Sequence, residues 1–209
     1  MADIQLNLIN QSNDINNSDI VIFQKNTATD VNTQSIAWTV VKNLGNGDNH
    51  PFAYPMEFAI GAKDAEGKYL PQIFTENGNA HEVVMACSCH VLQTAPTPAA
   101  NPTEVEVWNN LELGSIDAQI YRDGKLLASA ANVPPGSKAN FQFQPTLFIN
   151  AMPQVEQGSV MNPSVTVQQP TELDLTGISS ADIIITGGGT GPNATAFKFA
   201  LANVSYEAC

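Results

Sequence analysis

Polar and apolar residues alternate along most of this chain. Ile4-x-Leu6-x-Leu8 puts every second side chain on one face, the period-2 pattern of a half-buried strand, and Asp19–Gln24 is a short apolar run between Asn-rich turns. The same reasoning predicts strands at Ser35–Lys42, Met56–Ala62, Lys68–Phe74 and a long one at His81–Leu92. Beyond these it predicts Glu104–Trp108, Ser115–Tyr121, Lys125–Ala130, Lys138–Phe143 and Thr146–Ile149. The last third adds Ser164–Val167, Glu172–Leu175, Ala181–Thr186 and Thr195–Tyr206. No long window carries an i, i+3, i+4, i+7 stripe, while thirteen prolines and fourteen glycines interrupt the chain. The expected class is all-β with an antiparallel β-sandwich architecture, either one large domain or two Ig-like or jelly-roll-like modules.

Residues 95–103 (APTPAANPT) contain three prolines among small residues and cannot hold a continuous ladder. They read as a linker or long crossover, with one β-sandwich half at 1–94 and another at 104–209. A faint internal similarity fits that division. Phe58-x-Ile60-x-Ala62 leads through Gly67 to Asn77-Gly78, and Ala118-x-Ile120-x-Arg122 leads through Gly124 to Pro135-Gly136. Two unrelated hairpins would look alike in the same way, so the similarity is compatible with two related modules without requiring them.

Composition narrows the partners. Charged residues make up 13% of the 209, against roughly 25% in an average soluble domain, and 20 acidic against 8 basic residues give a formal charge of -12. Seven lysines and one arginine, scattered, do not make a phosphate-tracking surface, which argues against nucleic acid. Uncharged amides take the place of charge, with 21 Asn and 13 Gln. The N-terminus lacks a basic region followed by an apolar run, and no apolar stretch is long enough for a membrane helix. The expectation is synthesis in the cytoplasm, compatible with release without a classical signal peptide. Sequons at Asn10, Asn16, Asn193 and Asn203 are unsurprising in a chain this rich in Asn, Ser and Thr.

Three cysteines do not make a disulfide framework. In a continuous strand Val83, Met85, Cys87, Cys89 and Val91 would share one apolar face, with His90 on the other. Cys87 and Cys89 are therefore expected in the core rather than on a metal, and no cofactor is implied. Cys209, at the end of the chain, is better placed for an intermolecular disulfide. Gly187-Gly188-Gly189-Thr190-Gly191-Pro192-Asn193 follows a strand but has neither the Gly-Lys-Ser/Thr of a phosphate loop nor the third glycine of a dinucleotide fingerprint. It reads as a flexible inter-strand loop. The carboxylates Glu104 and Glu106 alternate with Val105 and Val107, the pattern of a solvated face. His50, His81 and His90 stand in no nucleophile motif, so catalysis is not expected.

Residues 43–55 (NLGNGDNHPFAYP) form the most functional-looking loop. Asp48 and Asn49 suit sugar hydroxyls, Phe52 and Tyr54 suit the apolar face of a pyranose, and His50 stands among them as a further candidate contact. The alternative is that His50-Pro51 and Tyr54-Pro55 lock a turn whose aromatics plug the end of a sandwich. Three functions follow. The first is a non-enzymatic binding protein for a neutral partner such as a glycan. The second is a self-assembling homo-oligomeric subunit using amide-rich β-edges. The third is a membrane-acting, toxin-like sandwich using Trp38, Phe52, Tyr54 and Trp108.

Overall fold

The computed structural model describes residues 3–15, 18–28, 33–161 and 169–207, so the expected strand at 164–167 and Cys209 lie outside the described residues. In chain order the strands begin with β1 (Ile4–Asn10), β2 (Asp19–Phe23), β3 (Thr33–Ser35), β4 (Thr39–Val41), β5 (Asn49–Tyr54) and β6 (Phe58–Lys63). Next come β7 (Ile73–Thr75), β8 (Ala80–Ala86), β9 (Cys89–Thr94), β10 (Val105–Asn109), β11 (Ile116–Arg122) and β12 (Lys125–Val133). The series closes with β13 (Lys138–Phe141), β14 (Thr146–Met152), β15 (Thr171–Asp174), β16 (Ile178–Gly188) and β17 (Thr195–Tyr206). The fold is all-β, and no described helix is long and apolar enough to cross a membrane.

The chain makes two compact units, each with two sheets in a β-sandwich architecture. The first unit comprises Met1–Gln24, Ala37–Met56 and Pro145–Cys209, with sheets ordered β17-β16-β1-β5 and β15-β14-β2-β4. The second comprises Lys25–Ile36 and Glu57–Gln144, with sheets β13-β10-β8-β9 and β3-β12-β11-β6-β7. Most pairings are antiparallel, as expected, but each unit has one sheet with a parallel central pair, β1 with β16 and β8 with β10.

The units do not divide at 95–103, which belongs wholly to the second. The segment is the crossover that carries the chain from β9 back beside β8, as its parallel partner β10 requires. It is stapled down at both ends: Ala95 N–H donates to Ala80 O (2.9 Å), Ala99 N–H to Gly78 O (2.9 Å) and Gly78 N–H to Glu104 O (2.8 Å). The two similar hairpins likewise belong to one unit. β6 and β11 are hydrogen-bonded neighbours, Ile60 opposite Ile120 and Ala62 opposite Ala118, rather than copies in separate modules.

Alternation builds the cores. In β1 the side chains of Ile4, Leu6 and Leu8 are buried while Gln5 and Asn7 face outward. In β16 Ala181, Ile183 and Ile185 are buried beside them. Each such leucine or isoleucine contributes about 1.5–3 kcal/mol relative to leaving it exposed.

The expected strand at Ser35–Lys42 is split, because Ile36 belongs to the second unit and Ala37 to the first. Ala37 instead pairs with a turn, receiving a bond from Gly158 N–H and donating to Ser159 O.

The long strand expected over His81–Leu92 is a hairpin. β8 and β9 reverse at Cys87-Ser88, with Ala86 opposite Cys89 and positive φ at both turn residues (47° and 67°), as in a type I′ turn. The turn overhangs β10, whose pairing with β8 ends at Val83 opposite Asn109. Cys87 and Cys89 are therefore exposed, not core residues.

Candidate functional site

The loop expected to bind a ligand is mostly strand. β5 is an edge of its sheet, pairing antiparallel with β1, and an edge tolerates Pro51 because the missing N–H costs no ladder bond on the open side. Residues 43–48 are tied to the end of β1: Asn10 N–H donates to Asp48 O, Gly47 N–H to Asn10 O, and the buried Asn10 amide to Leu44 O.

The five expected site residues do not converge. Asp48 is exposed and accepts Gly45 N–H through Oδ2 at 3.0 Å. Asn49 and His50 are exposed, and Phe52 is half-buried. Tyr54 is a core residue, 1% exposed, edge-on to the buried Trp38 and receiving a bond from Gln24 Nε2 at 2.9 Å. Of the two aromatics expected to plug the core only Tyr54 is buried, from a strand and not a turn, and its burial removes it from a ligand surface. Burial of Trp38 and Tyr54 likewise dissolves the expected interfacial aromatic cluster.

Pairing does assemble a different set on the outer face of the β17-β16-β1-β5 sheet. Register sets Pro51 beside Asn7, Asn7 beside Asp182, and Gln5 beside Ser180. A β-bulge in β17 leaves residues 203 and 204 across from Ala181, and Asn203 takes the left-handed conformation (φ 49°). From there its Nδ2 donates to Asp182 Oδ2 at 2.6 Å, while Asn7 Nδ2 donates to Asp182 Oδ1 at 3.3 Å.

Asp182 is thus held between two amides, and among the described residues it has no ion pair. No described group donates to Asn7 Oδ1, although that atom is shielded from solvent. These side chains line a shallow groove of about 280 Å³, near the small end of ligand pockets. A second hollow of about 330 Å³ in the other unit is edged by Glu57, Glu76 and the exposed Phe74. Its two carboxylates suit a cation better than a neutral group.

The carboxylates expected on a solvated face are covered. Glu104 and Glu106 are 3% and 2% exposed. Alternation placed them correctly on the outer face of β10, opposite Val105 and Val107, but the 95–103 crossover lies over that face. Asn101 Nδ2 donates to Glu104 Oε1 at 3.1 Å and Ala100 N–H to Glu106 Oε1 at 2.9 Å. Glu106 also accepts the Trp108 indole N–H at 2.9 Å and pairs with Lys138 Nζ at 2.6 Å. Burial alone would raise the Glu106 pKa, but its bonds to Lys138, Ala100 and Trp108 outweigh burial and hold it below the ordinary value.

The two histidines of the second unit make separate contacts. His81 is buried with Nε2 2.8 Å from Thr75 Oγ1, and burial lowers its pKa. His90 Nδ1 sits 2.9 Å from Asp64 Oδ2. The glycine run ends in a short 3₁₀ turn, Gly191–Asn193, and Gly187 is packed so close to the backbone of Ala196 that no Cβ would fit. Gly187 and Gly188 thus close β16 itself, and the connection to β17 is shorter than the flexible loop expected over the whole glycine run.

The groove residues were missed because they sit within strands, where polar alternate positions look like ordinary solvated faces. The one local signal was Asp182, an acid interrupting the apolar run that starts at Ala181. Comparison with protein families, curated proteins and solved structures returns no match for this chain.

Proposed function

We propose that this protein is a non-enzymatic binding protein for a neutral, hydroxyl-rich partner such as a glycan, taken on the outer face of the β17-β16-β1-β5 sheet. The observation that carries the reading is the half-buried Asp182 carboxylate held between the Asn7 and Asn203 amides at the groove. The two amide bonds fix its orientation and leave lone pairs on both oxygens, to which ligand hydroxyls can donate. A carboxylate flanked by two amides offers acceptors and donors to adjacent hydroxyls, with Pro51 as the apolar contact at the groove's edge. The -12 net charge favours a neutral ligand over an anion.

A glycan array tests this with wild type, Asp182→Ala and His50→Ala. The expected result is wild-type binding that Asp182→Ala abolishes and His50→Ala retains. A blank wild-type array, or binding indifferent to Asp182, overturns the reading.

Self-assembly is supported by a different observation. β17 is a twelve-residue edge strand with no proline, and most of its side chains are exposed or half-buried. Light scattering at low and high salt decides it: a strict monomer removes self-assembly and leaves the glycan reading intact.

A further inference from the structure

Asp64 is a buried carboxylate with its two oxygens committed differently. Oδ1 accepts the backbone N–H groups of Glu66 (3.1 Å) and Lys68 (2.9 Å), which fixes the turn after β6 and holds the side chain in one orientation. Oδ2 faces Nδ1 of His90, the second residue of β9, at 2.9 Å. Glu66, two residues on, is exposed, and among the described residues its carboxylate has no ion pair. One ligand atom from each of Asp64, Glu66 and His90 lies within 4.8 Å of the others, and this is the one such trio among the described residues.

We propose that Asp64, Glu66 and His90 form a binding site for a borderline divalent cation of the zinc type. A histidine nitrogen with two carboxylate oxygens is a donor set that Zn²⁺ accepts, with bonds of about 2.0–2.2 Å. Such bonds place neighbouring ligand atoms roughly 3.3 Å apart in a tetrahedron, close to the 2.9 Å already separating Oδ2 from Nδ1. The cation replaces the proton these two atoms share. The backbone bonds to Oδ1 preorganise the buried ligand from behind, and the exposed Glu66 closes onto the ion from the solvent side. Three protein ligands leave a fourth position for water. The site lies in the second unit and does not depend on the glycan groove.

The thiols of Cys87 and Cys89 are exposed nearby in the chain and are the competing ligands. The test therefore uses the full chain with all three cysteines changed to serine, titrated with Zn²⁺ by calorimetry and with Co²⁺ by absorption. The expected result is one equivalent bound by the cysteine-free protein, with visible Co²⁺ bands of an N/O site and no thiolate charge-transfer band. In that background His90→Ala and Glu66→Gln each weaken binding by about tenfold or more, and His50→Ala leaves it unchanged. Glu66→Gln alters an exposed side chain, so its effect is separable from misfolding. Loss of binding on removing the cysteines overturns the proposal, as does affinity unchanged in both His90→Ala and Glu66→Gln, or no binding at all.

Discussion

Each unit has one sheet with a parallel central pair, and each places acids on the outer face of that pair, yet the two faces end differently. In the second unit Glu104 and Glu106 are buried beneath the 95–103 crossover and Glu106 is neutralised by Lys138. In the first, Asp182 lies in an open groove with two amides for company. Connectivity explains the difference. Parallel neighbours need a crossover, and the link from β8 to β10 is short enough to fold back over its own sheet. β1 and β16 stand near opposite ends of the chain, so no short crossover joins them, and among the described residues none covers the face. A covered acid is part of the fold; an uncovered one on an ordered polar face is available to a partner.

Breaking the covered side has the largest expected effect. Lys138→Met leaves Glu106 buried without its cation and should lower the stability of the second unit by about 2–3 kcal/mol. Each unit contains one tryptophan, Trp38 in the first and Trp108 in the second. Denaturant unfolding of single-tryptophan variants therefore reads the two separately, and the loss should appear in the Trp108 signal.

The pH dependence has a definite sign. The folded-state pKa of Glu106 is depressed, so its contribution is present above the unfolded value and is lost as pH falls below about 4.5 and through the folded value. The second unit should weaken steeply in that window, and Lys138→Met should flatten the profile. A variant profile parallel to wild type would contradict the assigned pairing.

A smaller effect separates two hairpin turns within the second unit. Asp123-Gly124 and Cys87-Ser88 both have positive φ at two consecutive residues, but only the first has the residues such a turn favours. Replacing Cys87-Ser88 by Asn-Gly should stabilise by about 0.5–1 kcal/mol, read as a raised denaturation midpoint. Smallest of all, Asp182→Asn on the open face should change stability by no more than about 0.5 kcal/mol. A loss of 2 kcal/mol or more there would mean that the amide clamp is structural.

These contrasts also mark what was legible in the sequence. Regular alternation and a long uninterrupted pattern gave β1 and β17 directly, and the expected Thr195–Tyr206 is the observed strand. β5 was hidden by Pro51, a residue that only an edge strand tolerates. The Cys87-Ser88 turn was hidden because neither residue signals positive φ, while Val83, Met85, Cys87 and Cys89 imitate one apolar face. Alternation assigned Glu104 and Glu106 to the right side of β10, but period-2 reasoning says which way a side chain points and not what lies over it. The groove depends on parallel register between residues 175 positions apart, Asn7 and Asp182, which no local pattern contains.

The most direct test of the open-face account is NMR of the side-chain amides during titration with the oligosaccharide that the array selects. The account predicts that the Asn7 and Asn203 amide signals shift in a saturable way, that those of the buried Asn109 and Asn150 stay fixed, and that Asp182→Ala abolishes the response. Saturable shifts confined to Asn49 and the β5 edge, or shifts that survive Asp182→Ala, would contradict it.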